Sequence, residues 1–152
     1  MRLSSRTRYG ARALFDLAYH SGGQPASVRD IASRQDVPQR FLEQVLRDLK
    51  RAGLVEARRG SRGGYVLATA PGEITLGMVL QAIEGPVKFG RGVHAHDGGI
   101  DPGEHVTGRC VTGEIWQSLG ERMTDFLDEI TVADLCDRGR GLGIATASGD
   151  AA

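Results

Sequence analysis

The sequence predicts a mainly α-helical chain with one small β-hairpin, and three observations predict it. Phe41, Leu42, Val45, Leu46 and Leu49 recur at helical spacing between Pro38 and Gly53, so one face of that segment should meet a core. Directly after Gly53, Leu54–Arg58 and Gly64–Leu67 read as two short strands joined by the turn Arg59-Gly60-Ser61-Arg62-Gly63. Further on, Ile115, Leu119, Met123, Phe126, Leu127 and Ile130 form a second amphipathic stripe, with Trp116 beside it. A polar, arginine-bearing helix followed by a glycine-rich hairpin is the layout of a winged helix-turn-helix. The second stripe adds a long C-terminal helix with more apolar surface than so small a domain covers, which points to dimerisation; an intramolecular core helix is the other reading.

The remaining elements follow in order. A helix is expected from Ser4 or Ser5 to about His20, burying Tyr9, Ala13, Leu14, Leu17 and Ala18. Arg6, Arg8 and Arg12 cluster near its start. Basic groups there oppose the helix dipole, and a phosphate backbone is one partner that would justify them; a solvated face is the other reading. Ser21–Pro25 reads as a loop, and Ser27 as the cap of a short helix with Asp30 three residues on. Gln35–Pro38 makes the turn, and Pro38 suits the first turn of the helix that follows. Beyond Pro71-Gly72, Thr75 should start another short helix with Leu76, Val79, Leu80 and Ile83 inward, ended by Gly85-Pro86. Residues 87–109 are glycine-rich and without period. A helix begins near Thr112, and Thr131–Asp134 marks one more short turn. The expected division is a DNA-binding unit over 1–70, a short helix and sensing segment over 71–109, a dimerisation helix over 110–137, and a disordered tail over 138–152.

The chain of 152 residues, 25% of them charged, is of the soluble class. It has no apolar run of the roughly 20 residues a membrane span needs. Its start lacks a signal-peptide pattern, so the expectation is a cytoplasmic protein with no membrane partner. Two cysteines, Cys110 and Cys136, do not make a disulfide framework. The formal net charge of zero conceals a division. Residues 1–65 carry 13 Lys+Arg against 6 Asp+Glu, and residues 66–152 carry 6 against 13. A basic half joined to an acidic half suits a nucleic-acid-facing module attached to a sensing or pairing module.

On the outer side of the central helix, Gln39, Arg40, Glu43, Gln44 and Arg47 recur at steps of three and four. Arginine can address guanine in a major groove, glutamine adenine, and glutamate a cytosine amino group. Arg58, Arg59, Ser61 and Arg62 of the hairpin are placed to lie on phosphates or enter a minor groove. The expected partner is double-stranded DNA, bound by a homodimer.

Four stretches carry a resemblance spanning residues 1 to 137: MRLSSRTRYGARALFDLAYH, FLEQVLRDLKRAGLV, RGSRGGYVLA and CVTGEIWQSLGERMTDFLDEITVADL. Together they resemble the Rrf family of winged-helix transcription regulators, of the IscR, NsrR and CymR type. The resemblance implies a dimer through the long C-terminal helix. It places Glu43, Gln44 and Arg59 at positions used for base or groove contact, with Arg40 as a neighbour. It also implies, in cluster-binding members, an iron–sulfur cluster held by three cysteines before that helix. Cys110 matches the last of the three; the other two have no counterpart in residues 87–109, and Gly113 stands where IscR-like members carry a histidine.

His94, His96 and His105 share the segment with Cys110, near Asp97 and Glu104. Imidazole, thiolate and carboxylate together suit iron or zinc, although His-Ala-His is also what an exposed loop without function contains. Cys136 reads as a buried structural thiol. The leading expectation is a redox- or iron–sulfur-sensing repressor working through the segment around Cys110. The alternative is a cofactor-free regulator answering to a small molecule or partner protein. An enzyme using Cys110 and His105 ranks last, since no orienting residue or oxyanion hole accompanies them.

Overall fold

The computed structural model describes residues 4–86 and 111–147. Their order is α1 (Ser5–Tyr19), α2 (Val28–Gln35), α3 (Gln39–Arg51), β1 (Val55–Arg58), β2 (Gly64–Leu67), a single 3-10 turn (Pro71–Glu73), α4 (Leu76–Glu84), α5 (Val111–Asp128) and α6 (Val132–Gly141). The winged arrangement is present. β1 and β2 pair antiparallel, with Val55 opposite Leu67 and Arg58 opposite Gly64.

Side-chain caps set most helix starts, as the hydroxyl-bearing residues predicted. Ser4, Ser27, Thr75 and Thr131 each accept a backbone N–H three residues on, from Thr7, Asp30, Met78 and Asp134. The turn between α2 and α3 is made by Asp36 in the left-handed region at φ 49°, ψ 54°, a conformation aspartate tolerates better than most residues. Val37 N–H then donates to the Ala32 carbonyl at 3.0 Å and swings the chain into α3. At the other end of α3, Leu54 N–H closes on the Leu49 carbonyl at 2.9 Å across Gly53.

The core lies where α1 crosses α2, α3, α4 and α6. Leu14, Ile31, Leu42, Val45, Leu46, Leu49, Ile74, Val79 and Val132 are fully enclosed there. Phe41 departs from the expected stripe: it is 51% exposed while its neighbour Leu42 is at 0%. Successive helical residues turn about 100°, which places Phe41 on the flank of the buried row rather than in it.

Two further expectations are corrected in the C-terminal part. The segment after Ile130 is not a single turn but the ten-residue helix α6, packed on α1. The tail expected to be disordered from residue 138 is ordered through Ala147. Gly139 is buried against the rings of Phe15 and Tyr19. Tyr19 Oη donates to the Ile144 carbonyl at 2.7 Å, and Ala147 N–H donates to His20 Nδ1 at 3.1 Å. The missing side chain of Gly139 lets α6 lie on two aromatic rings.

Helix α5 contrasts with the rest. Ile115, Trp116, Leu119 and Phe126 are 45–61% exposed, while Met123, Leu127 and Ile130 are half-buried. Among the described residues its main intramolecular neighbour is α4.

Candidate nucleic-acid interface

The five residues predicted for groove contact, Gln39, Arg40, Glu43, Gln44 and Arg47, are all exposed on α3 opposite its enclosed row of Leu42, Val45, Leu46 and Leu49. Because that row is fixed by packing, the polar row is aimed rigidly outward. Gln39 Nε2 donates to Glu43 Oε1 at 3.1 Å, which holds two of the five together one helical turn apart.

The wing brings Arg58, Arg59, Ser61 and Arg62 together in an exposed turn. Gly60 takes φ +118°, closed to side-chain-bearing residues, and Gly63 N–H closes the turn on the Gly60 carbonyl at 3.0 Å. The base of the wing is stitched to the α1–α2 connection. Ala26 and Tyr65 exchange both backbone hydrogen bonds, at 3.0 and 2.8 Å. A Cβ on Gly64 would stand 2.3 Å from the Ala26 carbonyl oxygen, so only glycine allows this approach. The result is a hollow of about 630 Å³ between Gly23 and Pro25 on one side and Arg58, Arg59, Ser61 and Arg62 on the other. Arg58 leans on Glu56 at 3.2 Å. Among the described residues, Arg59 and Arg62 form no salt bridge with a carboxylate.

A second, smaller cleft of about 270 Å³ lies between α1 and α3, lined by Arg6, Gln44, Arg47, Asp48 and Arg51. Arg6, one of the basic residues at the start of α1, is paired within the fold. Its guanidinium pairs with Asp48 of α3, which also takes Arg51 at 3.3 Å. Arg8 Nη2 donates to Ser5 Oγ at 3.2 Å and stays exposed. Arg12 donates to the Gln35 carbonyl, so it fastens α1 to α2.

Sequence reasoning missed two groups that hold this surface. Asp16 is fully buried. It receives Arg34 Nη2 at 2.6 Å and Nε at 3.0 Å, with Gln35 Nε2 at 3.0 Å. The hydrogen bond to Asp16 holds Arg34 more firmly charged than an isolated guanidinium. The signal was an acid set among the apolar residues of Ala13–Leu17, an arrangement that requires a partner. The second is Glu84, the last residue of α4. Its Oε1 accepts from Thr7 Oγ1 at 2.5 Å, from Ser4 N–H at 3.3 Å and from Ser4 Oγ. Those bonds, from the Ser4 and Thr7 hydroxyls first, hold its carboxyl below the ordinary range.

The expected metal ligands Cys110, His94, His96 and His105 lie outside the described residues. Among the described residues, no three His, Cys, Asp or Glu side chains gather as a metal site. Cys136 is buried, as expected, and burial raises its thiol pKa.

An arginine-fringed wing beside a helix with a rigid polar face defines a winged-helix DNA-binding protein. Comparison with known proteins carries this to a family. The family model described as Rrf2, iron-dependent transcriptional regulator, matches residues 3–138. The HTH-type transcriptional regulator IscR of Pectobacterium carotovorum is 37% identical over 147 residues, covering 95% of this chain and 85% of that one. The structure of T. potens IscR superposes with a TM-score of 0.75 at 33% identity, covering 96% of this chain and 93% of that one. CymR, the global cysteine regulator of B. subtilis, superposes with a TM-score of 0.71 at 29% identity over 91% of this chain and 98% of that one. The chain belongs to the Rrf2 family: it is a DNA-binding transcriptional regulator and not an enzyme. None of its described helices is long and apolar enough to cross a membrane.

Proposed function

We propose that this regulator is a cytoplasmic homodimeric repressor that presents one α3 helix per protomer to successive major grooves of a palindromic site. The observation carrying the reading is the two-sided character of α3: four apolar residues at 0% exposure on one side, five exposed polar residues on the other. Gln44, Glu43 and Arg40 stand at the face that reads base edges, with Gln39 and Arg47 beside them. Arg58, Arg59, Ser61 and Arg62 grip the adjacent backbone or minor groove. Arg6 and Arg8 lie at the α1 edge of the same surface, Arg6 oriented by Asp48. Dimerisation uses the exposed row Ile115, Trp116, Leu119 and Phe126 of α5.

The signal enters through the segment holding Cys110, His94, His96 and His105. One thiolate with three imidazoles suits a mixed nitrogen and sulfur donor set for iron, zinc or an iron–sulfur cluster; it does not supply a three-cysteine set. When bound, iron or an iron–sulfur cluster would supply redox or oxygen sensitivity, whereas zinc would supply only a structural or occupancy signal. The chain supplies the ligands and, through Glu84 at the end of α4, whose carboxylate holds the first turn of α1, a link from that segment to the DNA-binding helices.

Metal analysis and two DNA-binding variants test this. Anaerobic purification with a visible spectrum and iron, sulfide and zinc analysis should show stoichiometric metal that is lost in Cys110→Ala. A metal-free dimer that still binds DNA would instead favour a small-molecule or protein signal. Gln44→Ala should cost about 1–3 kcal/mol of specific affinity and relax the preference at one base pair. Arg62→Ala should weaken all sequences alike and flatten the salt dependence.

A further inference from the structure

We infer that Phe41 reads sequence directly, by packing its ring against the 5-methyl group of a thymine in each half-site. The inference rests on α3 being the helix that enters the groove. Phe41 is the one exposed aromatic residue among described residues 4–86. Phe15 and Tyr19 stack on one another at 5.0 Å, and Tyr9 and Tyr65 pack against the core. The exposed large apolar residues of the C-terminal part are mostly on α5, far along the chain from the reading surface. Lone apolar residues are ordinary on a protein surface. What distinguishes Phe41 is its place.

It occupies the first turn of α3, directly after Arg40 and two residues before Glu43. Residues at the N-terminal end of a recognition helix are the ones that reach base edges. At about 100° per residue, Phe41 lies about 60° around the helix from Gln44 and nearly above Asp48. It therefore stands on the rim of the polar face, on the side where Arg6 of α1 meets Asp48. Its backbone is held by Leu42, which is wholly enclosed, and by its own N–H bond to the Pro38 carbonyl at 3.0 Å. The ring is thus presented at a fixed height beside Arg40 and Gln44 without being used in the fold. The feature of a major groove that such an apolar group recognises is the thymine methyl, which no hydrogen bond reads. Arg40, Glu43 and Gln44 supply donor and acceptor readout, and Phe41 supplies the apolar reading they lack.

The test begins with binding sites selected by the full-length protein from a randomised duplex library. Each thymine of the selected half-site is then replaced by deoxyuridine, which removes the methyl group alone. For the unaltered protein, one thymine per half-site should weaken binding about fourfold on losing its methyl, the amount expected for one buried carbon. With Phe41→Ser the same replacement should make no difference, and with Phe41→Leu an intermediate one. A selected half-site without a constant thymine, or an equal penalty in the unaltered and Phe41→Ser proteins, overturns the inference. Should Phe41→Ser fold poorly, 5-bromodeoxyuridine at the sensitive position must photocrosslink to the peptide containing Phe41, and a crosslink elsewhere overturns it equally. Gln44→Ala separates the two levels. If it leaves the selected sequence unchanged, α3 is not the reading helix; if it alters the sequence while methyl sensitivity is absent, only the role of Phe41 falls.

Discussion

Helices α3 and α5 carry apolar stripes of the same period and meet opposite fates. In α3, Leu42, Val45, Leu46 and Leu49 are covered completely by α1, α4 and their neighbours. In α5, Ile115, Trp116, Leu119 and Phe126 face outward with about half their surface in solvent. Periodicity shows that a face wants covering and is silent on what covers it. The difference lies in the surroundings: α3 has helices on three sides, whereas α5 leans on α4 along one edge.

One chemical change made in both stripes sharpens that contrast. Leu46→Ala should cost about 2–5 kcal/mol of folding stability, independent of protein concentration, in a denaturant titration. Leu119→Ala should leave the folding of a dilute protomer nearly unchanged and weaken self-association in sedimentation experiments. Leu119→Glu should abolish association and, with it, any rise of melting temperature with concentration. If Leu119→Ala instead destabilised the protomer as Leu46→Ala does, the α5 stripe would be an internal one. Between these lies Asp16→Ala, which removes a partner from Arg34 and Gln35 inside the α1–α2 junction. About 3 kcal/mol is expected, with DNA affinity falling as α2 loosens.

The smallest effect concerns Glu84. Its carboxyl is held below the ordinary range, so the charged form is the one the fold favours. That contribution is complete above the unfolded carboxylate pKa and disappears as pH falls through the depressed folded value. Glu84→Gln should therefore lower stability by under about 1 kcal/mol near neutrality, and the two proteins should converge well below about pH 4.3. A difference that persisted into acid would show that the bonds to Ser4 and Thr7 act through shape and not through charge.

The fold was legible where local chemistry decides the outcome. Ser4, Ser27, Thr75 and Thr131 announce their helices, and the turn around Gly60 announces the wing. What the sequence hid depends on partners distant in the chain. Asp16 meets Arg34 eighteen residues later, and Glu84 meets Thr7 seventy-seven residues earlier. The order of residues 138–147 depends on contacts such as Gly139 against Phe15 and Tyr19, more than a hundred residues away in the chain. Phe41 was misassigned because a stripe two residues wide has an edge, and spacing alone does not say on which side of it a residue falls. The exposed polar face of α3 was visible in advance as a set of residues, while Asp48 and Arg6, which pair beside it, were not visible as a pair.

Helix α4 is fastened at both of its ends to other parts of the molecule. At its start, Leu76 N–H bonds the Ile130 carbonyl at 2.9 Å and Thr75 Oγ1 bonds Asp128 at 2.9 Å. At its end, Glu84 holds the first turn of α1. A nine-residue helix tied in this way behaves as a strut: it transmits a displacement along its axis instead of absorbing it. Coupling through a strut runs in both directions with equal free energy. Whatever the junction of α5 and α6 imposes on α1, a load placed on α1 imposes in return on that junction, so the two ends of α4 report on each other.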